Sequence, residues 1–143
     1  MTTCCFLALF GANRSKVFNP EHSGSLSTGH ANSAANMLSR LETMALMGGE
    51  LPLAAIRSQI TSALDLIVHL GRLPDRSRRV LSVDEILGMK QGEIRIESIF
   101  SYEREGGLRF TGHQPENIRK WEESTGTVPR FDAEGRFRLE ERQ

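Results

Sequence analysis

The densest set of side chains able to meet a ligand lies between His22 and Ser33, which reads HSGSLSTGHANS. It holds two histidines, two glycines, four serines, a threonine and an asparagine. Glycines and small hydroxyl residues let the backbone approach a bound group closely, and their N–H groups suit anions. A histidine at each end can donate a hydrogen bond to a phosphate oxygen. Composition alone is equally served by a polar loop with two solvent-facing histidines, which is the default for such a segment.

Phosphate chemistry of the P-loop kind needs Gly-x-x-x-x-Gly-Lys-[Ser/Thr]. Backbone N–H groups there cradle the phosphates, the lysine lies on them and the hydroxyl holds Mg²⁺. The lysines of this chain are Lys16, Lys90 and Lys120, which follow Ser15, Met89 and Arg119. None follows a glycine. Gly24 to Ala31 (GSLSTGHA) spaces two glycines correctly but sets His30 at the lysine position and Ala31 at the hydroxyl position. Alanine cannot bind Mg²⁺. Val80 to Glu85 (VLSVDE) imitates an apolar strand ending in metal-binding acids; Asp84 and Glu85 are read as surface or turn residues.

Other reactive side chains say less. Cys4 and Cys5 are adjacent, and a disulfide between neighbours is strained and closes no useful loop, so two reduced thiols are expected. No His, Cys and acid set has a zinc-like spacing. Arg72, Arg76, Arg78 and Arg79 surround Pro74-Asp75, which suggests a solvated hairpin tip or a subunit contact, with nucleic acid as the lesser reading. His69 is expected at the edge of the core, His113 in a loop, Arg40 and Arg57 as solvated helix arginines, and Trp121 as a packing anchor.

These residues must be positioned by regular elements. A short strand is expected near Ser25 to Thr28. Met37, Leu38, Leu41, Met44 and Ala45 then fall on one face of a helix. Asn32 or Ser33 stands at its N-cap and Gly48-Gly49 at a left-handed end. A second helix opens at Leu51-Pro52 and buries Leu53, Ile56, Ile60 and Ala63 or Leu64. Beyond it, apolar runs at 64–70, 80–83, 94–100 and 108–111 are separated by the turn signals Pro74-Asp75, Gln91-Gly92 and Gly106-Gly107. Such spacing predicts an antiparallel meander.

Several motifs in order resemble one family. HSGSLSTGHANS, then MLSRLETMALMG, then ELPLAAIRSQITSALDLIVHLGRLPDRSRRV are similar to the second half of CpaF-type ATPases. These belong to the superfamily of type II and type IV secretion and pilus-assembly motors. The likeness runs from about Phe18 to Tyr102. It implies an α/β fold, the C-terminal half of a RecA-like P-loop NTPase domain, with two helices followed by an antiparallel strand meander. It implies a histidine box in which His22 and His30 are catalytic, His30 lying toward the γ-phosphate, while Ser25, Ser27, Thr28 and Asn32 shape the nucleotide-site loop. ATP and Mg²⁺ are the implied cofactors. A hexameric homo-oligomeric ring and inner-membrane secretion or pilus platform proteins are the implied partners.

The likeness fails before Phe18. Residues 1–17 match nothing in the family and are taken as an atypical leader, 18–112 as the C-terminal part of the ATPase domain, and 113–143 as a charged, solvated tail. The segments that grip ATP are not among the 143 residues, so the expected activity of this chain alone is nil. A non-catalytic module docking into a ring of full-length homologues is the alternative.

Composition sets outer limits. Eighteen basic residues balance eighteen acidic ones, which argues against a nucleic-acid partner for the chain as a whole. The apolar run Cys4 to Phe10 is too short for a membrane span, which takes ~20 residues. A cytoplasmic protein, peripheral at the inner face of the cell membrane, is expected.

Overall fold

A computed structural model describes residues 4–9, 25–116 and 126–141. His22, Ile118 and Trp121 lie outside the described residues. The chain runs β1 (Cys4–Leu9), β2 (Ser25–His30), α1 (Ala34–Met47), α2 (Leu53–Ala63), β3 (Leu66–Arg72), β4 (Arg78–Lys90), β5 (Glu93–Glu103), β6 (Gly107–Phe110), β7 (Thr127–Phe131) and β8 (Phe137–Glu141). The first six strands form one sheet in the order β2-β1-β3-β4-β5-β6, and β7 and β8 form a separate pair. Every described pairing is antiparallel. The fold is thus mixed α/β, with the two helices and the antiparallel meander that the residue pattern predicts. β1 pairs on both sides, with β2 and β3.

Helix α1 starts where its cap chemistry says it should. Ser33 is extended, and its hydroxyl accepts the Asn36 N–H at 3.1 Å, satisfying one of the unpaired donors of the first turn. The other end differs from expectation. Gly48 is right-handed, with φ −90°, and its N–H returns to the Ala45 carbonyl at 3.1 Å. The helix therefore closes with a tightened last turn rather than a left-handed glycine. Pro52 caps α2; its carbonyl accepts from Ala55 and Ile56.

Both helices cover one face of the sheet. Met37 and Leu38 of α1, with Leu41 and Ile60 partly buried, meet Leu64, Ile67 of β3, Ile86 of β4, and Ile94 and Ile96 of β5. Ile67 and Ile86 are completely enclosed. The predicted α1 stripe is buried only in its first half, with Met44 and Ala45 exposed; Leu53, expected on the buried side of α2, is exposed too, as are Leu46, Met47 and Leu51.

Cross-strand partners share a sheet face, and neighbours along a strand alternate. The pairs Ile86↔Ile96 and Ile67↔Asp84 therefore face the helices, and Val83↔Phe100 and Glu85↔Glu97 face the other way. On that second face sits the β7–β8 hairpin. Phe131 meets Phe100 edge-on at 5.1 Å, Phe110 at 5.5 Å and Phe137 at 5.9 Å between ring centroids. Gln114 fixes the hairpin further: its Oε1 accepts the Phe131 N–H and its Nε2 donates to the Phe131 carbonyl. Part of the expected solvated tail is thus a packed hairpin.

Candidate functional site

Strand β2 is an edge strand, and it carries the segment singled out by its histidines. Its register sets Leu26 opposite Ala8, Ser27 opposite Leu7, Thr28 opposite Phe6 and His30 opposite Cys4. The side chains of Ser27, Thr28, His30 and Asn32 are exposed. Ser25 begins the strand. Between the exposed residues, Ala31 and Ala34 are buried and anchor the strand-to-helix turn to the core.

Two contacts hold this turn. Gly29 lies so close to α1 that a Cβ there would fall 2.5 Å from Met37 Cε, so a larger residue would have to displace the end of the Met37 side chain. Arg40 Nη1 donates to the His30 carbonyl at 2.6 Å. Arg40 is exposed, as a solvated arginine should be, but it is also tied back to the turn. His30 consequently stands just ahead of the α1 N-terminus, where unpaired backbone N–H groups and the helix dipole favour an anion. The turn thus brings together the His30 backbone, the α1 N-terminus and the Arg40 guanidinium. The arrangement suits an anionic group presented from outside β2.

The second polar assembly differs from the sequence expectation. Asp84 and Glu85 are not surface or turn residues: they are 5% and 2% exposed, in the middle of β4. Asp84 accepts from the hydroxyls of Ser82, at 2.5 Å, and of Ser98. Glu85 faces the opposite side, where its carboxylate meets His113 Nε2 at 3.0 Å and accepts the Glu116 N–H at 3.0 and 3.1 Å. Buried carboxylates persist only when paired or hydrogen-bonded, and both of these are. His113 is in a loop as expected, but its ring is mostly enclosed and holds Glu85. The missed signal is the uninterrupted strand pattern from Val80 to Met89, which leaves no turn for the two acids to occupy.

His69 is a core-edge histidine on β3, 8% exposed, and its Nε2 has no hydrogen-bond partner. Burial pushes its pKa below the ordinary 6.5, opposed by the nearby Asp84 charge. Arg57 is a clamp rather than a solvated arginine. Its Nε and Nη2 donate to the two Glu42 carboxylate oxygens at 2.8 and 3.4 Å, and its Nη1 reaches the Gly92 carbonyl at 2.7 Å. Glu42 holds its pKa above the ordinary value, chiefly through that hydrogen bond. One side chain so joins α1, α2 and the β4–β5 turn. Arg72, Arg76, Arg78 and Arg79 are all exposed at the β3–β4 turn.

No protein-family model matches the chain. The chain is similar to proteins named for conjugal transfer. Two of these are from Mycobacterium tuberculosis, strains CDC 1551 and H37Rv, each 33% identical over 93 residues, which is 64% of this chain and 25% of the relative. A third is the conjugal transfer protein TrbB of Sinorhizobium fredii, 32% identical over 83 residues, 58% of this chain and 24% of the relative. The chain spans about a quarter of the length of these curated relatives. Among the described residues, no helix is long and apolar enough to cross a membrane.

Proposed function

We propose that this chain supplies the histidine-box half of a nucleotide site in a conjugal-transfer or secretion motor of the RecA-like, CpaF-related class. The observation that carries the reading is the coincidence of two independent facts. The relatives are named for conjugal transfer. The motif-bearing strand β2 ends at an exposed His30, in the short turn that leads to the Ser33 cap of α1, and a helix N-terminus suits the phosphate end of a nucleotide. In this reading His30, with His22 at the other end of the motif, stabilises charge developing on the γ-phosphate. Ser25, Ser27, Thr28 and Asn32 shape the loop between them.

ATP and Mg²⁺ must then be held by P-loop residues that these 143 do not contain. A neighbouring subunit in a homo-oligomeric ring, working against inner-membrane platform proteins, would present them. ATP hydrolysis by the purified chain is expected to be nil. Added to a full-length relative such as TrbB, the chain is expected to change that protein's hydrolysis rate, and His30→Ala to abolish the change while leaving association intact. Hydrolysis by the chain alone, or an effect on TrbB indifferent to His30, would overturn the reading.

A further inference from the structure

We propose that the β3–β4 hairpin tip is a finger that binds the phosphate backbone of duplex DNA. Arg72, Arg76, Arg78 and Arg79 are exposed within eight positions, and Asp75 is the one acid between residues 66 and 83. Asp75 is already engaged: its carboxylate accepts the Ser77 hydroxyl at 2.7 Å and the Ser77 N–H at 2.9 Å. Among the described residues, none of the four arginines forms an ion pair within 4.0 Å. Arg79 is near enough to help lower the Asp75 pKa, after the Ser77 bonds. Arg72 spends its Nε on the Arg76 carbonyl, at 3.2 Å.

The turn geometry shows that an arginine at the closing position is not a default choice. Leu73 N–H donates to the Ser77 carbonyl and Arg76 N–H to the Leu73 carbonyl. The β7–β8 turn has the same bonds, from Asp132 N–H to the Arg136 carbonyl and from Gly135 N–H to the Asp132 carbonyl. At the equivalent left-handed position it carries glycine, Gly135 with φ 75°, whereas here Arg76 has φ 67°. Glycine adopts that conformation without cost and arginine does not. A residue held in a costly conformation at an exposed tip points to a use for its side chain.

The distribution of charge selects the partner. Arg72 and Arg78 are cross-strand partners and share one face of the ribbon; Arg79, opposite Gly71, lies on the other face. Arg76 follows directly on the Pro74-Asp75 apex. Cations on both faces and the tip match phosphates that flank a groove on two sides, and the major groove of B-form DNA admits a two-stranded ribbon. That groove in A-form RNA is too narrow. A lipid surface would meet one side only, and surface helices and ribbons that dock there bring an apolar or aromatic anchor. Residues 71–79 contain no aromatic, and Leu73 is half-buried. All four cations are arginines, whose fork grips phosphate through two nitrogens. The balanced charge of the whole chain does not oppose a contact this local.

The test measures binding of a fluorescent 20-base-pair DNA duplex by anisotropy as salt is raised. Contacts to as many as four phosphates give a slope of log K against log salt of about −3.6, or about a 150-fold loss for a fourfold rise in salt. Arg76→Gly is the decisive variant. It is expected to raise the melting temperature, since glycine relieves the turn, while flattening the slope by about 0.9. Arg78→Ala is expected to flatten it similarly. A slope near zero, or one unchanged in both variants, would overturn the proposal. So would arginine-dependent binding to vesicles of phosphatidylserine and phosphatidylcholine with none to the duplex.

Discussion

Glu85 offers the sharpest test of how this fold is held. It is 2% exposed on β4, yet its partners come from a loop far along the chain, His113 and the backbone of Glu116. Glu85→Ala removes the acceptor and leaves a mostly buried imidazole nitrogen and a backbone N–H to find other partners. A hydrogen bond to a charged group contributes ~1.5–3 kcal/mol net. The carboxylate also costs something to bury, which offsets part of this. A loss of ~2–4 kcal/mol is therefore expected, large against the 5–15 kcal/mol typical of a whole domain. The assay is urea unfolding of the wild type, Glu85→Ala, His113→Ala and the double variant. The two single losses are expected to overlap, the cycle giving a coupling of ~1–2 kcal/mol. Losses below ~0.5 kcal/mol for Glu85→Ala, or strictly additive losses, would refute the assignment of Glu85 as the anchor of residues 113–116.

Three further outcomes follow from single contacts. Phe131→Ala removes the ring at the centre of the Phe100, Phe110 and Phe137 cluster; a loss of ~2–3 kcal/mol is expected, and faster tryptic cleavage at Arg130 and Arg138 should report the released hairpin. Ser33→Ala deletes the α1 N-cap bond to Asn36 and should cost ~1 kcal/mol by chemical denaturation. Burial lowers the His69 pKa below 6.5 in the fold, so the unfolded chain binds more protons there. The His69 contribution is then complete above the unfolded pKa and is lost as pH falls from about 6.5 toward the lower folded value; the same titration in His69→Phe, followed by thermal melts, should show a shallower acid decline.

What could be read from the sequence depended on the distance between partners. The helices and the meander were legible because their signals are local. Ser33 caps α1 through an N–H three residues away, and the Gln91-Gly92 turn, with φ 52° and 83°, joins strands that adjoin in sequence. The chemistry of the second sheet face was not legible. Asp84 is satisfied by Ser98, Glu85 by His113, and Phe100 by Phe131. No periodicity links such positions, so two acids in a strand looked like surface and a run of alternating charge looked like loose tail. The hairpin hidden in that tail had one local mark, the Asp132 to Gly135 turn between Phe131 and Phe137.

The histidine box lies between these cases. Its strand and its capped helix were legible, and so was the small-residue pattern that lets them meet: Gly29 admits Met37, and Ala31 and Ala34 turn inward while Ser27, Thr28, His30 and Asn32 turn out. The sequence could not say where on the sheet this would lie. At an edge, with exposed polar residues, the motif would serve in the proposed reading as one wall of a site. A wall built this way can bind a phosphate only weakly by itself, because an exposed histidine and a helix end each contribute little in water. The same groups gain strength when a second surface excludes water around them. That is why the His30→Ala effect is expected in a mixture with a full-length relative and not in the chain alone. It is also why the arginine finger is a separate matter: its binding needs no second subunit, and it should survive every substitution in the histidine box.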